Sequence, residues 1–232
     1  MHCFYCRTIG PTGSLVKLEE RDAKHLFKTL RAEPGEQLEL SDGNGIFATA
    51  EIRPDRTIAV LETERSTPPS RRVHLFIAPP RKAKMDILLK QCAEVGVWSI
   101  HPFLCARSVS APEKDEVRER WQTLLMEGCK QAKNPFLPHI AGLPVPFKTA
   151  VDDAVRAGYL GFFGSPRGDG KRSDWSAAAD VAWFVGPEGG FTDEEENYLR
   201  EHGIADLRIG RWVLRVETAA VCGCLVLAEQ PR

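Results

Sequence analysis

Three glycines and a carboxylate are packed into Val185-Gly186-Pro187-Glu188-Gly189-Gly190-Phe191-Thr192. The apolar run before it reads as a buried strand, and Thr192-x-x-Glu195 reads as a capping box that opens a helix. In parallel α/β sheets ligands bind beyond the carboxyl ends of strands, where this loop falls. Glycine lacks a Cβ and lets the backbone approach a ligand closely. A phosphate cradle is ruled out by charge. Glu188 sits inside the loop, Asp193, Glu194, Glu195 and Glu196 crowd the helix start, and the Lys-Ser/Thr of a P-loop is missing. A carboxylate here suits a ligand that offers amine or hydroxyl donors, or a positive charge. A plain strand-to-helix turn accounts for the same residues.

A second loop of this kind is Ile209-Gly210-Arg211-Trp212-Val213-Leu214-Arg215, running into Val216-Glu217-Thr218-Ala219. Glu217 and Thr218 are good first-turn residues, favourable beside the free N–H groups and dipole of a helix start. The two arginines fit helix-start solvation or an ion pair with Glu217. They also fit cations at the mouth of a pocket, and two glycine loops ending neighbouring parallel strands favour that reading. Phe162-Phe163-Gly164-Ser165 is a third strand end. Together the three loops would enclose an apolar-floored pocket of the kind a nucleoside prefers.

These loops need a scaffold, and the rest of the chain supplies one. Residues 1–68 read as a small, mainly β unit: a strand at 15–18, a helix at 22–31, then strands at 37–41, 46–52 and 57–64. Asp42-Gly43-Asn44-Gly45 is a hairpin turn because its residues tolerate positive φ. Short strands joined by tight turns suggest a small barrel. Ser66-Thr67-Pro68-Pro69-Ser70 is a linker, after which apolar strands (73–78, 97–104, 159–163, 181–185, 205–209) alternate with helices (85–95, 117–125, 149–157, 192 onward, 217–229). That alternation predicts a parallel sheet covered on both faces. The domain boundary is expected at 70/71.

Of the 232 residues 43% are hydrophobic and 27% charged, which excludes a disordered or fibrous chain. No apolar run approaches the roughly 20 residues of a membrane helix, and Met1-His2-Cys3-Phe4-Tyr5-Cys6-Arg7 lacks a signal-peptide layout. The expectation is a cytoplasmic protein. Seven cysteines without framework spacing fit reduced thiols. Cys3-x-x-Cys6 and Cys222-x-Cys224 have the look of two half zinc sites. The second pair, however, lies in a strongly apolar segment, where cysteine acts as a small hydrophobe, so no metal is expected. The net charge of −1 hides a basic stretch. Within 71–110, Arg71, Arg72, Arg81, Lys82, Lys84, Lys90 and Arg107 face only Asp86 and Glu94. Such a stretch suits a polyanion, and equally a solvated surface.

Gly186-Pro187-Glu188-Gly189-Gly190 with Thr192, and Ile209-Gly210-x-x-Val213-Leu214-Arg215-x-Glu217-Thr218-Ala219, resemble the signature of the RsmE family. These are 16S ribosomal RNA (uracil-N3)-methyltransferases of the SPOUT superfamily. Arg81-x-x-Lys84-Met85-Asp86 with Glu94-x-Gly96-Val97, and Arg107-Ser108, are similar to further family segments. Lys130-Gln131 through Pro138 is similar too, with Lys133-Asn134 where the family has arginine. His25-Leu26, Leu30-Arg31, Pro34-Gly35 and Asp42-Gly43 resemble its PUA-like N-terminal unit. The resemblance implies a PUA-like RNA-binding β-barrel over 1–70. Over 71–232 it implies an α/β SPOUT domain with a parallel sheet and a deep trefoil knot. It further implies a homodimer that binds S-adenosyl-L-methionine and methylates a uridine of 16S RNA in the small subunit.

Carried over by position, Phe163 and Gly164 form one wall of the cofactor pocket, Val185, Gly186, Pro187, Glu188 and Gly189 the second, and Ile209, Gly210, Val213 and Leu214 the third. Arg215 first, and Arg211 second, are expected to stabilise the anion that develops when uracil loses its N3 proton. Glu217 is a candidate acceptor for that proton, although capping also suits it. Arg31, Arg71, Arg72, Arg81, Lys82, Lys84 and Arg107 are expected to contact RNA phosphates. Two other readings stay open: a SPOUT enzyme for another ribosomal or transfer RNA position, and a non-catalytic RNA-binding ribosome assembly factor.

Overall fold

The structure is a computed structural model that describes residues 1–112, 115–168 and 175–229. It divides into two compact units. One comprises 1–68 together with 126–137, and the other 69–125 together with 138–232.

In the first unit, β1 (Cys3–Tyr5), β3 (Gln37–Ser41), β4 (Ile46–Ile52), β5 (Ile58–Arg65) and β2 (Leu15–Val16) lie side by side in that order as a curled half-barrel. Only the β1–β3 pair is parallel. The β3–β4 turn forms as its residues dictate: Asp42 Oδ1 accepts from the backbone N–H of Asn44 (2.7 Å) and of Ile46 (2.9 Å). The helix expected at 22–31 is instead two short pieces. After α1 (Glu20–Lys24) comes a wider π-helical turn (His25–Thr29), closed by the Leu30 N–H on the His25 carbonyl. The turn carries Leu26 into the core and leaves Phe27 and Leu30 at its margin.

Residues 126–137 join this unit, a detour that a single cut at residue 70 does not contain. Lys130 pairs with Asp22 (3.3 Å) and lies over the Phe4 ring, and Lys133 binds Glu39 (2.8 Å). The Leu137 N–H reaches the Gly43 carbonyl (2.9 Å). In this structure, Lys133 thus ties the segment to β3.

The second unit is a wholly parallel sheet in the order β12 (Ala205–Leu207), β10 (Leu160–Gly164), β11 (Asp180–Val185), β6 (Arg72–Ile77), β7 (Ser99–Leu104), β8 (His139–Ile140), with β9 (Val145–Pro146) also on β7. From β6 the chain winds outward through β7, then returns to the other flank of β6. Four adjacent strands, β12, β10, β11 and β6, therefore open their carboxyl ends side by side.

Both faces are covered, as near-continuous apolar strands require. On one face α2 (Lys82–Glu94) and α6 (Val216–Ala228) pack together, with α6 over β6 and β11. On the other, Phe76, Phe163 and Phe184 meet Phe147 and Val151 of α4 (Phe147–Arg156) and Leu199 of α5 (Asp193–Glu201). Of α3 (Asp115–Ala132), the described side chains of Trp121 and Leu125 are buried.

At the amino ends of the strands a buried polar chain crosses the sheet. Asp180 Oδ1 meets His74 Nε2 (2.9 Å), His74 Nδ1 meets the Ser99 hydroxyl (2.6 Å), and that hydroxyl meets His101 Nε2 (2.7 Å). Burial pushes both imidazoles down, His101 to about 4. Burial works against ionisation of Asp180, but hydrogen bonds from His74 and Arg72 outweigh it and hold the carboxyl low. With His74 neutral and donating Nε2–H to Asp180, the serine donates to His74 Nδ1 and accepts from His101 Nε2–H. Both ring nitrogens of His74 and the Ser99 hydroxyl are then satisfied.

Candidate cofactor pocket

The loops after β10, β11 and β12 converge because their strands are neighbours. They line a cavity of about 560 Å³ with Gly164–Pro166, residues 185–191 and residues 207–216. Trp183 and Ala219 complete its floor, and Lys84 from the first turn of α2 joins its wall. Trp183 is fixed by its Nε1–H on the Ala219 carbonyl (3.2 Å).

Each glycine loop is held from outside. Gly190 adopts φ +69°, a conformation that glycine alone takes at no steric cost, and its N–H closes a turn on the Pro187 carbonyl (2.8 Å). Arg107 Nη1 donates to the carbonyls of Gly189 (2.7 Å) and Phe191 (3.2 Å). The capping box is present: Thr192 Oγ1 accepts from the Glu195 N–H and Glu195 Oε2 from the Thr192 N–H. The other Glu195 oxygen accepts from Ala106 N–H (2.8 Å), which ties the helix start to the β7 loop. Arg208 clamps the third loop through the carbonyls of Gly210 (3.1 Å) and Arg211 (2.7 Å). At its tip Trp212 and Val213 are 75% and 80% exposed, with Arg211 lying over the Trp212 ring.

Twelve of the expected pocket and catalytic positions meet here: Gly164, Val185, Gly186, Pro187, Glu188, Gly189, Ile209, Gly210, Arg211, Val213, Leu214 and Arg215. Phe163 does not. Strand alternation turns its ring into the opposite core, edge-on to Phe191 and beneath Arg200, so Gly164, Ser165 and Pro166 form that wall instead. Glu217 also stays off the lining. Its Oε2 is buried without a hydrogen bond, 3.6 Å from Lys84 Nζ.

The expected phosphate contacts separate into two groups. Arg31, in the first unit, and Arg81 and Lys82, at the start of α2, are exposed. The other four have partners within the protein. Arg71 is 7% exposed, because its guanidinium serves the carbonyls of Ala178, Ser176 and Glu229. Arg72 pairs with Asp180 (2.6 Å) and lies over Trp98. Arg107 holds the glycine loop, and Lys84 belongs to the cavity. Sequence reasoning missed Arg208 and Trp183 as pocket residues; an arginine two positions before Gly210 was the available signal for the first. All seven cysteines are free thiols, and burial lifts Cys3 to about 11. Among the described residues no group of three or more His, Cys, Asp or Glu is placed to hold a metal ion.

The cavity has the size and make-up for S-adenosylmethionine. Its volume is that of a nucleoside site, its floor is aromatic and aliphatic, three loops offer backbone groups, and Glu188 supplies negative charge for a cationic ligand.

A parallel α/β domain with this three-loop cavity, in one chain with a small β unit, defines an RNA-modifying methyltransferase class. Residues 67–228 match the RNA methyltransferase domain and 18–62 the RNA methyltransferase PUA domain. The chain belongs to this RNA methyltransferase family. It is 27% identical over 226 residues to ribosomal RNA small subunit methyltransferase E of Aquifex aeolicus, covering 95% of this chain and 96% of that one. To the enzyme of the same name from Mycobacterium bovis it is 28% identical, covering 94% and 87%. The crystal structure of a Neisseria gonorrhoeae ribosomal RNA small subunit methyltransferase E bound to S-adenosyl methionine superimposes with a TM-score of 0.86, at 26% identity over 98% of this chain and 96% of that one.

Proposed function

We propose that this protein uses S-adenosylmethionine to methylate N3 of a specific uracil in 16S ribosomal RNA of the small subunit. We place it in the cytoplasm as a homodimer whose second unit is a trefoil-knotted SPOUT domain. The observation that carries the reading is the cavity itself, in which three glycine-bearing strand ends and a carboxylate converge at nucleoside size.

The cofactor, when bound, supplies an electrophilic methyl group on a sulfonium centre. Gly164, Gly186 and Gly189 would allow close backbone approach to it, Trp183 and Leu214 would pack its apolar parts, and Glu188 would face positive charge. The protein's remaining tasks are to orient the base, exclude water and manage one proton. Uracil N3 is a poor nucleophile until its proton leaves, and the resulting anion spreads over two flanking carbonyls. Arg215 is exposed and lines the cavity, and among the described residues its guanidinium makes no hydrogen bond or ion pair, so its donors are open to such an oxygen. Arg211 is the second candidate. The exposed Arg31, Arg81 and Lys82 are suited to RNA phosphates.

Calorimetric titration with S-adenosylmethionine tests the cofactor half, with Gly189→Trp as control. Binding in the wild type that the variant loses supports the reading. Absence of binding at millimolar ligand moves a non-catalytic RNA-binding role to the front. Modification mapping of ribosomal RNA from a strain lacking the gene tests the target. A missing N3-methyl mark restored by the gene supports uracil N3, and loss of a different mark replaces it.

A further inference from the structure

We propose that Lys84 and Glu188 together read the imide edge of the target base. Lys84 donates to a carbonyl oxygen beside N3, and Glu188 accepts the N3 proton. The inference rests on the uracil-N3 reading above and gives that site its base selectivity.

The two residues come from adjacent strand ends. β6 leads into α2 and Lys84, β11 leads into Glu188, and the strands end in register at Ile77 and Val185. Both side chains line the cavity and are about one-third exposed, at 35% and 32%. Lys84 Nζ stands 3.7 Å from Glu188 Oε1 and 3.6 Å from Glu217 Oε2. Both distances exceed hydrogen-bonding range. The ammonium is therefore held by charge, while its N–H donors stay uncommitted among the described residues. Glu217 lies off the cavity lining, with its Oε2 buried. It is a positioning residue, whose charge pins Lys84 in place.

A donor and an acceptor side by side match uracil, which presents a carbonyl next to N3–H. Cytosine lacks the N3 proton, so a bare N3 would meet the Glu188 carboxylate, and on its C4 side an amino group would meet the ammonium in place of a carbonyl. Such mismatches reject a competitor more strongly than shape does. The same pair assists the chemistry. The N3–H bond breaks, its proton passing to Glu188 Oε1 and its electron pair remaining on N3. That pair forms the new bond to the methyl carbon as the carbon–sulfur bond of the sulfonium donor breaks, with its electrons returning to sulfur. The negative charge that develops on the carbonyl oxygen lies against Lys84.

The test measures methyl transfer to small ribosomal subunits from a strain lacking the gene. It compares wild type, Lys84→Met, Lys84→Arg and Glu188→Gln across pH, with the calorimetric Kd for S-adenosylmethionine measured for each. In Lys84→Met we expect kcat to fall about 100-fold while that Kd stays within about threefold; in Glu188→Gln, whose charge also faces the cofactor, kcat should fall about 100-fold while that Kd rises by at most about tenfold. The alkaline rise of the rate, which reports N3 ionisation, should move up by roughly one pH unit in Lys84→Met and return in Lys84→Arg. Loss of cofactor affinity in step with kcat would assign the pair to the cofactor and overturn the proposal, as would unchanged kcat in both variants. A wild-type protein that binds no S-adenosylmethionine would instead sink the proposed function, and this inference with it.

Discussion

Gly223 in α6 lies against the indole of Trp183 more closely than any side chain would permit. A Cβ at position 223 would overlap Cε2 and Nε1 of the indole and reach within 2.7 Å of Ile209 Cδ1. The pocket floor and the third loop therefore depend on the missing methyl of a residue that does not itself line the cavity.

Replacing a helical glycine with alanine ordinarily stabilises a protein, by up to about 1 kcal/mol. At Gly223 the sign should reverse. Gly223→Ala is expected to cost about 2 kcal/mol, since overpacking must displace Trp183 or α6. It should also weaken S-adenosylmethionine binding, because Trp183 and Ile209 line the cavity. Urea denaturation and calorimetry on one preparation check both effects, and a gain in stability would show that α6 can shift freely.

The chain of Asp180, His74, Ser99 and His101 predicts a particular acid sensitivity. His101 stacks on Phe76 at 4.4 Å, and its pKa is pushed down to about 4 by burial first, then by His74 and His139, with Asp153 opposing. Its folded pKa is below the unfolded value of about 6.5, so the unfolded chain binds the proton more readily. The neutral ring's contribution is complete above about pH 6.5 and is lost as pH falls towards 4, a change of roughly 3 kcal/mol. His74 shifts in the same direction, also through burial. Denaturant midpoints across this window should fall steeply for wild type and less steeply for His101→Phe. Parallel curves would mean that His101 is protonated in the folded state.

What the sequence shows of this architecture is what is local. The glycine loops are legible because a buried strand, a cluster of residues without Cβ and a capped helix follow one another directly, and the cap of Thr192 and Glu195 forms as read. The strands Cys3–Tyr5, His139–Ile140 and Val145–Pro146 are too short to display an alternation. The π-helical turn at His25 keeps helical spacing and so passes for helix. Phe163 fails by one position, since adjacent residues of a strand face opposite cores. The basic stretch fails for a different reason. Arg71 reaches carbonyls 105 to 158 positions away, and nothing in its neighbourhood distinguishes a buried guanidinium from a solvated one.

That contrast yields opposite expectations for arginines ten residues apart. Arg71→Ala removes a buried guanidinium with its three charge-assisted bonds to the carbonyls of Ser176, Ala178 and Glu229 and should cost about 3 kcal/mol of stability, while the folded fraction keeps its affinity for RNA. Arg81 and Lys82 are exposed at the start of α2, so the double alanine variant should change stability by less than about 0.5 kcal/mol. Its RNA affinity should drop, and the slope of log affinity against log salt should flatten by about one to two, as expected for the loss of two phosphate contacts. Filter binding at several salt concentrations, read beside urea denaturation, separates the two roles. If Arg71→Ala flattened the salt slope and the double variant did not, the RNA-facing surface would have to lie on the Arg71 side of the sheet, away from the cavity mouth.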